Sequence, residues 1–203
     1  MNGWGRALAP LMLAGLLAAC VVPPPGGGDQ GAARPSLDAV LARLPEQAAG
    51  FARGTTTDME ASQPGQGRAV DYATLADAGV AARAAIASVM VYDHGLSMTP
   101  ASASAVLVEE KLNEGVRDAL VPAPGRQMRE SGRHTLPVGT GAPLRCAVLE
   151  GTYGRTAMWQ QVCVGTAAGR FLKVFVAVPT RQKDLLGMNA DAFTQVIAAA
   201  ARG

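Results

Sequence analysis

The stretch RFLKVFVAV, residues 170–178, decides the fold class, because it is the clearest β-strand in the chain. Successive side chains of a strand point to opposite faces of a sheet. Leucine and valine therefore point to one face, while two phenylalanines and a lysine point to the other. The first set is Leu172, Val174, Val176 and Val178, and the second is Phe171, Lys173 and Phe175. The segment is predicted to be a regular strand of the main sheet.

A pair of cysteines precedes this strand and predicts a cross-linked hairpin. Between Cys146 and Cys163 the sequence reads as strand, turn and strand. The two cysteines face each other if the turn centres between Gly154 and Arg155, because paired positions in an antiparallel hairpin share a constant sum. A structural disulfide between Cys146 and Cys163 is predicted. The alternative is a redox-active pair, but such pairs usually have the spacing Cys-x-x-Cys and a thiol of lowered pKa at a helix start.

Hydrophobic spacing and turn residues define the remaining elements. Helices are predicted over residues 36–44, 99–120 and 189–202, with Ser36 and Thr99-Pro100 as start signals. Strands are predicted over residues 50–53, 56–61, 68–74, 84–93 and 127–136, in addition to the cysteine hairpin. Strands follow one another through hairpin turns, which favours an antiparallel arrangement. The predicted fold class is α+β, with an antiparallel β-sheet packed against two or three helices in a single domain, residues 36–203.

Two of the predicted helices have a definable apolar face. In the long helix one stripe is apolar and the opposite side carries charges of both signs, so this helix is expected to lie on the sheet. Its apolar residues are Ala105, Val108, Leu112, Val116 and Leu120. In the closing helix the buried side is predicted to consist of Phe193, Val196 and Ile197.

The order of these elements resembles that of a known group of domains. A strand ending in Tyr72, a strand over residues 84–93, a long helix and a meander closing on residues 170–175 resemble the layout of Mog1/PsbP-like domains. The resemblance covers most of residues 44–202 and consists of element order, so no functional residue is carried over from it. The group includes lipid-tethered bacterial envelope proteins.

The first residues resemble the signal of a bacterial lipoprotein. A single positive charge, Arg6, precedes a short run rich in alanine and leucine. The run is shorter than the roughly 20 apolar residues of a membrane-spanning helix. The tetrapeptide Leu17-Ala18-Ala19-Cys20 resembles the lipobox at all four positions. The resemblance implies that residues 1–19 are a signal peptide and that Cys20 is acylated and becomes the first residue of the mature chain.

Residues 20–35 are predicted to be the lipidated cysteine and a flexible tether rich in proline and glycine. Several acyl chains on Cys20 would hold the domain stably on a membrane. Val21 follows the cysteine in place of aspartate, which by the sorting rule of enteric lipoproteins favours the outer membrane, with the domain facing the periplasm. That compartment permits disulfides. The alternative is an ordinary secretory signal that leaves Cys20 as a free thiol.

Composition and motifs argue against several classes of function. The chain has 18 basic and 16 acidic residues, and no concentrated basic patch of the kind that binds nucleic acid. Its two histidines, His94 and His134, lack the spacing of metal ligands, and the glycine-bearing loops lack the ending of a phosphate-binding loop. No catalytic residue, metal site or cofactor is therefore predicted.

Three functions remain open at this point. The leading hypothesis is a non-enzymatic envelope module that binds a protein partner or helps envelope assembly, with an exposed apolar patch or sheet edge near the cysteine hairpin. The second is a small-molecule or lipid carrier with a pocket between the sheet and the long helix. The third is a hydrolase that uses His94 or His134 as a base.

Overall fold

An eight-stranded antiparallel sheet forms the centre of the structure, a computed structural model that describes residues 34–76, 81–96, 103–185 and 189–203. The strands follow one another along the sheet in the order β1-β2-β3-β4-β8-β7-β6-β5. Their bounds are β1 Gln47–Ala48, β2 Phe51–Asp58, β3 Arg68–Thr74, β4 Ile86–Tyr92, β5 Arg126–Val138, β6 Gly141–Tyr153, β7 Thr156–Ala167 and β8 Arg170–Pro179. The signal peptide, Cys20, and Thr99-Pro100 lie outside the described residues.

Strand β8 lies in the middle of this sheet, between β4 and β7. The predicted alternation of its side chains is confirmed. Leu172, Val174, Val176 and Val178 are fully buried in one apolar cluster, whereas Phe175 packs against a second cluster on the opposite face. Both faces of the central strands are therefore covered, and the sheet requires helices on each side.

Four helices lie among the described residues: α1 Leu37–Leu41, α2 Ala105–Leu120, α3 Thr180–Leu185 and α4 Ala190–Arg202. Helices α1 and α4 pack in the cluster on one face, and α2 packs on the other face over β6 and β7. Side-chain oxygens of Ser36, Ser104 and Asn189 accept the first free N–H groups of α1, α2 and α4. The fold class is therefore α+β, an antiparallel sheet packed against helices, as the sequence predicts.

Several details differ from the sequence-based prediction. The two predicted strands over 50–53 and 56–61 form one strand, β2, and the predicted break is a register shift between Arg53 and Thr56. Ala105 is exposed, and so is Val196, with 45% of its surface accessible. Helix α3 was not predicted, because its sequence TRQKDL has no apolar periodicity.

The segment that enters the domain is held against one end of the sheet. Arg170 donates a hydrogen bond of 2.6 Å to the carbonyl of Pro35, and Arg34 forms an ion pair with Asp93. Residues 34–203 form one compact unit. Arg34 and Pro35, which the sequence assigned to the tether, are therefore part of this unit.

Candidate functional site

Strand β5 is one of the two outermost strands of the sheet and presents a long edge beside the cysteine hairpin. It has 13 residues, pairs with β6, and has no second partner among the described strands. Most of its side chains are exposed, while Leu136 and Val138 near its end are buried. Register shifts fall between Glu130 and Gly132 and again near Pro137, so the edge has two regular segments, 126–130 and 132–136. Such interruptions are typical of edge strands, because they limit unspecific pairing.

A groove of about 620 Å³ runs along the flank of α2. Arg145 of β6 forms the opposite wall. We call it the α2 groove. Its α2 residues are Ala105, Val106, Glu109, Glu110, Asn113 and Arg117. The volume lies in the range of small-molecule sites. Five of the seven lining residues are charged or carry an amide, but most of the surface that lines the groove is apolar.

A network of charged side chains ties β5 and β6 to α2. Glu109 accepts hydrogen bonds from Arg133 and from Arg145, whose Nε lies 3.2 Å from its Oε2. Arg133 also binds Glu130, and this hydrogen bond raises the pKa of Arg133 and lowers that of Glu130. Arg145 donates a second bond of 2.6 Å to the hydroxyl of Thr135. These bonds fix the α2 groove relative to the edge strand.

The space between α2 and the sheet is packed with side chains. Four residues of α2 meet four residues of β6 and β7 there, and all eight are buried. They are Val108, Leu112, Val116 and Ala119, against Ala147, Leu149, Val162 and Val164. The carrier hypothesis places a ligand between the sheet and α2. The described side chains of this cluster pack against one another there. The α2 groove opens on a different side of the helix.

His94 lies in the turn after β4, with its ring against Tyr92 and one-third of its side chain exposed. Its Nε2 atom lies 3.8 Å from the carboxylate of Glu114. Burial lowers the pKa of His94, and the positive charges of Lys111 and Lys173 lower it further, while Glu114 raises it. The backbone of His94 has a φ of 53°, in the left-handed region. No described serine or cysteine contacts its ring, so the described contacts do not form a nucleophile–base pair.

Replacing His94 with asparagine is expected to make stability less dependent on pH. The folded chain holds His94 neutral below its ordinary pKa of 6.5, so the unfolded chain takes up a proton first as the pH falls. The parent should therefore lose stability relative to His94→Asn between pH 7.5 and pH 5.5. Urea unfolding of both chains at the two pH values measures this difference. Asparagine is chosen because it tolerates the left-handed backbone at this position. Identical dependence of the free energy of unfolding on pH in the two chains would contradict the prediction.

His134 lies on the opposite face of the sheet, against α4. Its Nε2 atom is 3.2 Å from the Oδ1 atom of Asp191, which also accepts a 2.7 Å hydrogen bond from Gln161. The same Gln161 amide donates to Cys163 Sγ at 3.0 Å. The two histidines therefore belong to separate clusters, one on each face. Gln161 and Asp191 could not be found from the sequence, because their contact joins a strand to a helix that is distant along the chain.

The two cysteines face each other across β6 and β7, in the register that the sequence predicts. The turn lies between Tyr153 and Thr156, and the sulfur atoms of Cys146 and Cys163 are 2.06 Å apart, the distance of a disulfide bond. Both side chains are completely buried. Since they pack in the core beside α4, the pair has the position of a structural cross-link.

Among the described residues, no group of three or more histidine, cysteine, aspartate or glutamate side chains is arranged to hold a metal ion. In the same residues, no helix has the length and apolar character needed to cross a membrane.

Fold and contacts together define an α+β domain with an antiparallel sheet, helices on both faces and an open edge at β5. No protein-family model matches the chain, and neither does any curated protein. The solved structures that are similar to it include the following two. The Ran-binding protein Mog1p of Saccharomyces cerevisiae is 8% identical, with 75% of this chain and 84% of that chain covered and a TM-score of 0.38. PsbP (CyanoP) of Synechocystis sp. PCC 6803 is 16% identical, with coverages of 75% and 92% and a TM-score of 0.41.

Mog1p and PsbP give their names to the group of domains whose element order this sequence resembles. At these TM-scores the two structures carry no argument about the activity, partner or location of this chain.

Proposed function

We propose that this chain is a non-enzymatic, lipid-anchored protein-interaction module of the cell envelope. The observation that carries the proposal is the open edge of β5, where residues 126–130 form a regular segment with no second partner among the described strands. An extended segment of another protein can add to such an edge through main-chain hydrogen bonds.

The side chains of this segment suit selective binding. The side chains of Gln127 and Arg129 are exposed and make no hydrogen bond or ion pair with another described residue. Met128, in contrast, is partly buried against the cluster between α2 and the sheet. A partner strand would obtain affinity from the backbone and specificity from contacts to Gln127 and Arg129. The register shift after Glu130 would limit the length of the added strand to about five residues.

The proposed location rests on the N-terminal residues and on the cysteine pair. Acylated Cys20 would hold the chain at the outer membrane, and the tether would let the domain face the periplasm. A buried cysteine pair at disulfide distance suits an oxidising compartment. The proposal does not involve a cofactor or nucleic acid.

Site-specific photocrosslinking in living cells tests the proposal. A photoreactive phenylalanine analogue replaces Gln127 on β5, and a matched control carries it at Thr57, which is exposed on β2. We expect a discrete envelope protein to be linked at position 127 and not at position 57. Mass spectrometry of the linked peptides identifies the partner and its segment.

Two results would contradict the proposal. One is equal capture at both positions, which indicates random collision. The other is the absence of any product at position 127 when the chain is present at its normal level. A Cys20→Ser form tests the anchor separately, because the proposal expects it to lose the partner while the domain stays folded.

A further inference from the structure

The outward face of α2 carries a stripe of four residues that do not pack on the sheet. Val106, Glu110, Asn113 and Arg117 are separated by four, three and four positions, so they lie on one side of the helix. The residues of α2 that pack on the sheet lie on its other side. Apart from Val106, which is 77% exposed, the stripe is polar. None of the three polar side chains makes a hydrogen bond or ion pair with another described residue.

A second exposed valine lies at the opposite end of the helix. Val121, the C-cap residue, is 56% exposed. Val106 and Val121 are equally far from a midpoint beside Asn113, and so are Glu110 and Arg117. The stripe and the C-cap residue together therefore have an apolar residue at each end. An acid and a base lie symmetrically between the two valines, and an amide lies near the centre.

We infer that this face of α2 pairs with the same face of a second copy of this chain, with the two helices antiparallel. A two-fold axis beside Asn113 places Glu110 of each copy opposite Arg117 of the other, so both charges find a partner. The same axis places Val106 of each copy against Val121 of the other. Asn113 meets its own counterpart, and an amide can donate and accept in such a contact.

Charge complementarity selects this partner and this orientation. Parallel pairing of the same stripes would place Glu110 on Glu110 and Arg117 on Arg117, and like charges at close range are unfavourable. The α2 groove includes all four members of the stripe together with Arg145, so side chains of a second α2 could enter it. The occupant that meets all these groups at once is a second α2.

The size of the helix sets the expected strength of the contact. A helix of 16 residues is about 24 Å long, and stable dimers usually bury about 800 Å² on each partner. One helix pair buries less than this, so the dimer should be weak in dilute solution. If the chain is anchored as proposed, confinement to a membrane surface would raise the effective concentration of the copies.

A charge exchange tests the inference. The full chain, purified in detergent as the host produces it, is compared with Glu110→Arg, with Arg117→Glu and with the double variant by sedimentation equilibrium. We expect each single variant to weaken dimerisation at least about 10-fold, because two ion pairs are replaced by two repulsions in a symmetric dimer. The double variant should recover most of the parent affinity, because it restores opposite charges.

A cysteine crosslink gives an independent measurement. Asn113→Cys should yield a dimer linked through residue 113 under mild oxidation, identified by mass spectrometry of the linked peptide, while Thr57→Cys on β2 should not. A parent that stays monomeric at high concentration would overturn the inference, and so would a double variant that fails to recover. Circular dichroism checks that all variants are folded. The β5 crosslinks are independent of this contact, so either proposal can fail without the other.

Discussion

Replacing Phe193 with alanine is expected to lower the free energy of unfolding by about 3–5 kcal/mol, a value typical of large-to-small changes in a core. Phe193 of α4 is completely buried. Its ring centroid lies 4.6 Å from that of Phe51 and 5.3 Å from that of Tyr72. Aromatic pairs in such arrangements contribute beyond their buried area. Urea unfolding followed by circular dichroism measures the loss.

Val196→Ala provides a matched control on the same helix. Val196 is 45% exposed, so its truncation removes little buried area, and the free energy of unfolding should change by about 0.5 kcal/mol or less. Equal losses for the two variants would show that α4 packs with a different face toward the sheet. They would also contradict the position of Phe193 against β2 and β3.

The contrast between Phe193 and Val196 shows what helical periodicity can and cannot predict. The sequence indicates an amphipathic helix over residues 189–202, and α4 forms there. The predicted burial of Val196 was wrong, because the buried face passes through Thr194 and Ala198 instead. A valine at the surface costs little and a threonine in the core is tolerated, so side-chain polarity alone does not fix the rotation of a helix about its axis.

The hairpin of β6 and β7 could be predicted because its register is a local property. A single turn sets every pair in the hairpin, and it places Cys146 opposite Cys163. Likewise, the alternation in β8 depends only on the pleat of one strand. Both predictions follow from residues that are close together along the chain.

The leading hypothesis expects an exposed apolar patch or sheet edge near the cysteine hairpin, but the position of the edge at β5 and the α2 groove could not be predicted in the same way. Their existence depends on strand order, since β8 pairs with β4 and leaves β5 at the margin of the sheet. Arg133 of β5 joins Arg145 of β6 at Glu109 of α2, across three elements. The spacing of residues along the chain does not predict contacts between side chains of three separate elements.

Removing the cross-link between Cys146 and Cys163 is expected to lower the free energy of unfolding by about 3 kcal/mol. The two residues are 17 apart in sequence, and closing a loop of this length restricts the unfolded chain by roughly that amount. For a domain of this size the melting temperature should fall by roughly 6–12 °C. The measurement compares the oxidised parent with Cys146→Ala/Cys163→Ala by thermal and urea unfolding.

Reduction of the parent separates the cross-link from the loss of packing in the double variant. Both sulfur atoms are buried, so a reductant should reach the disulfide only when the domain opens. Reduction should then lower the free energy of unfolding of the parent and leave that of the double variant unchanged. If oxidised and reduced parent unfold at the same urea concentration, the cross-link contributes nothing to stability. In that case any loss in the double variant comes from the cavity left by two sulfur atoms in the core between the sheet and α4.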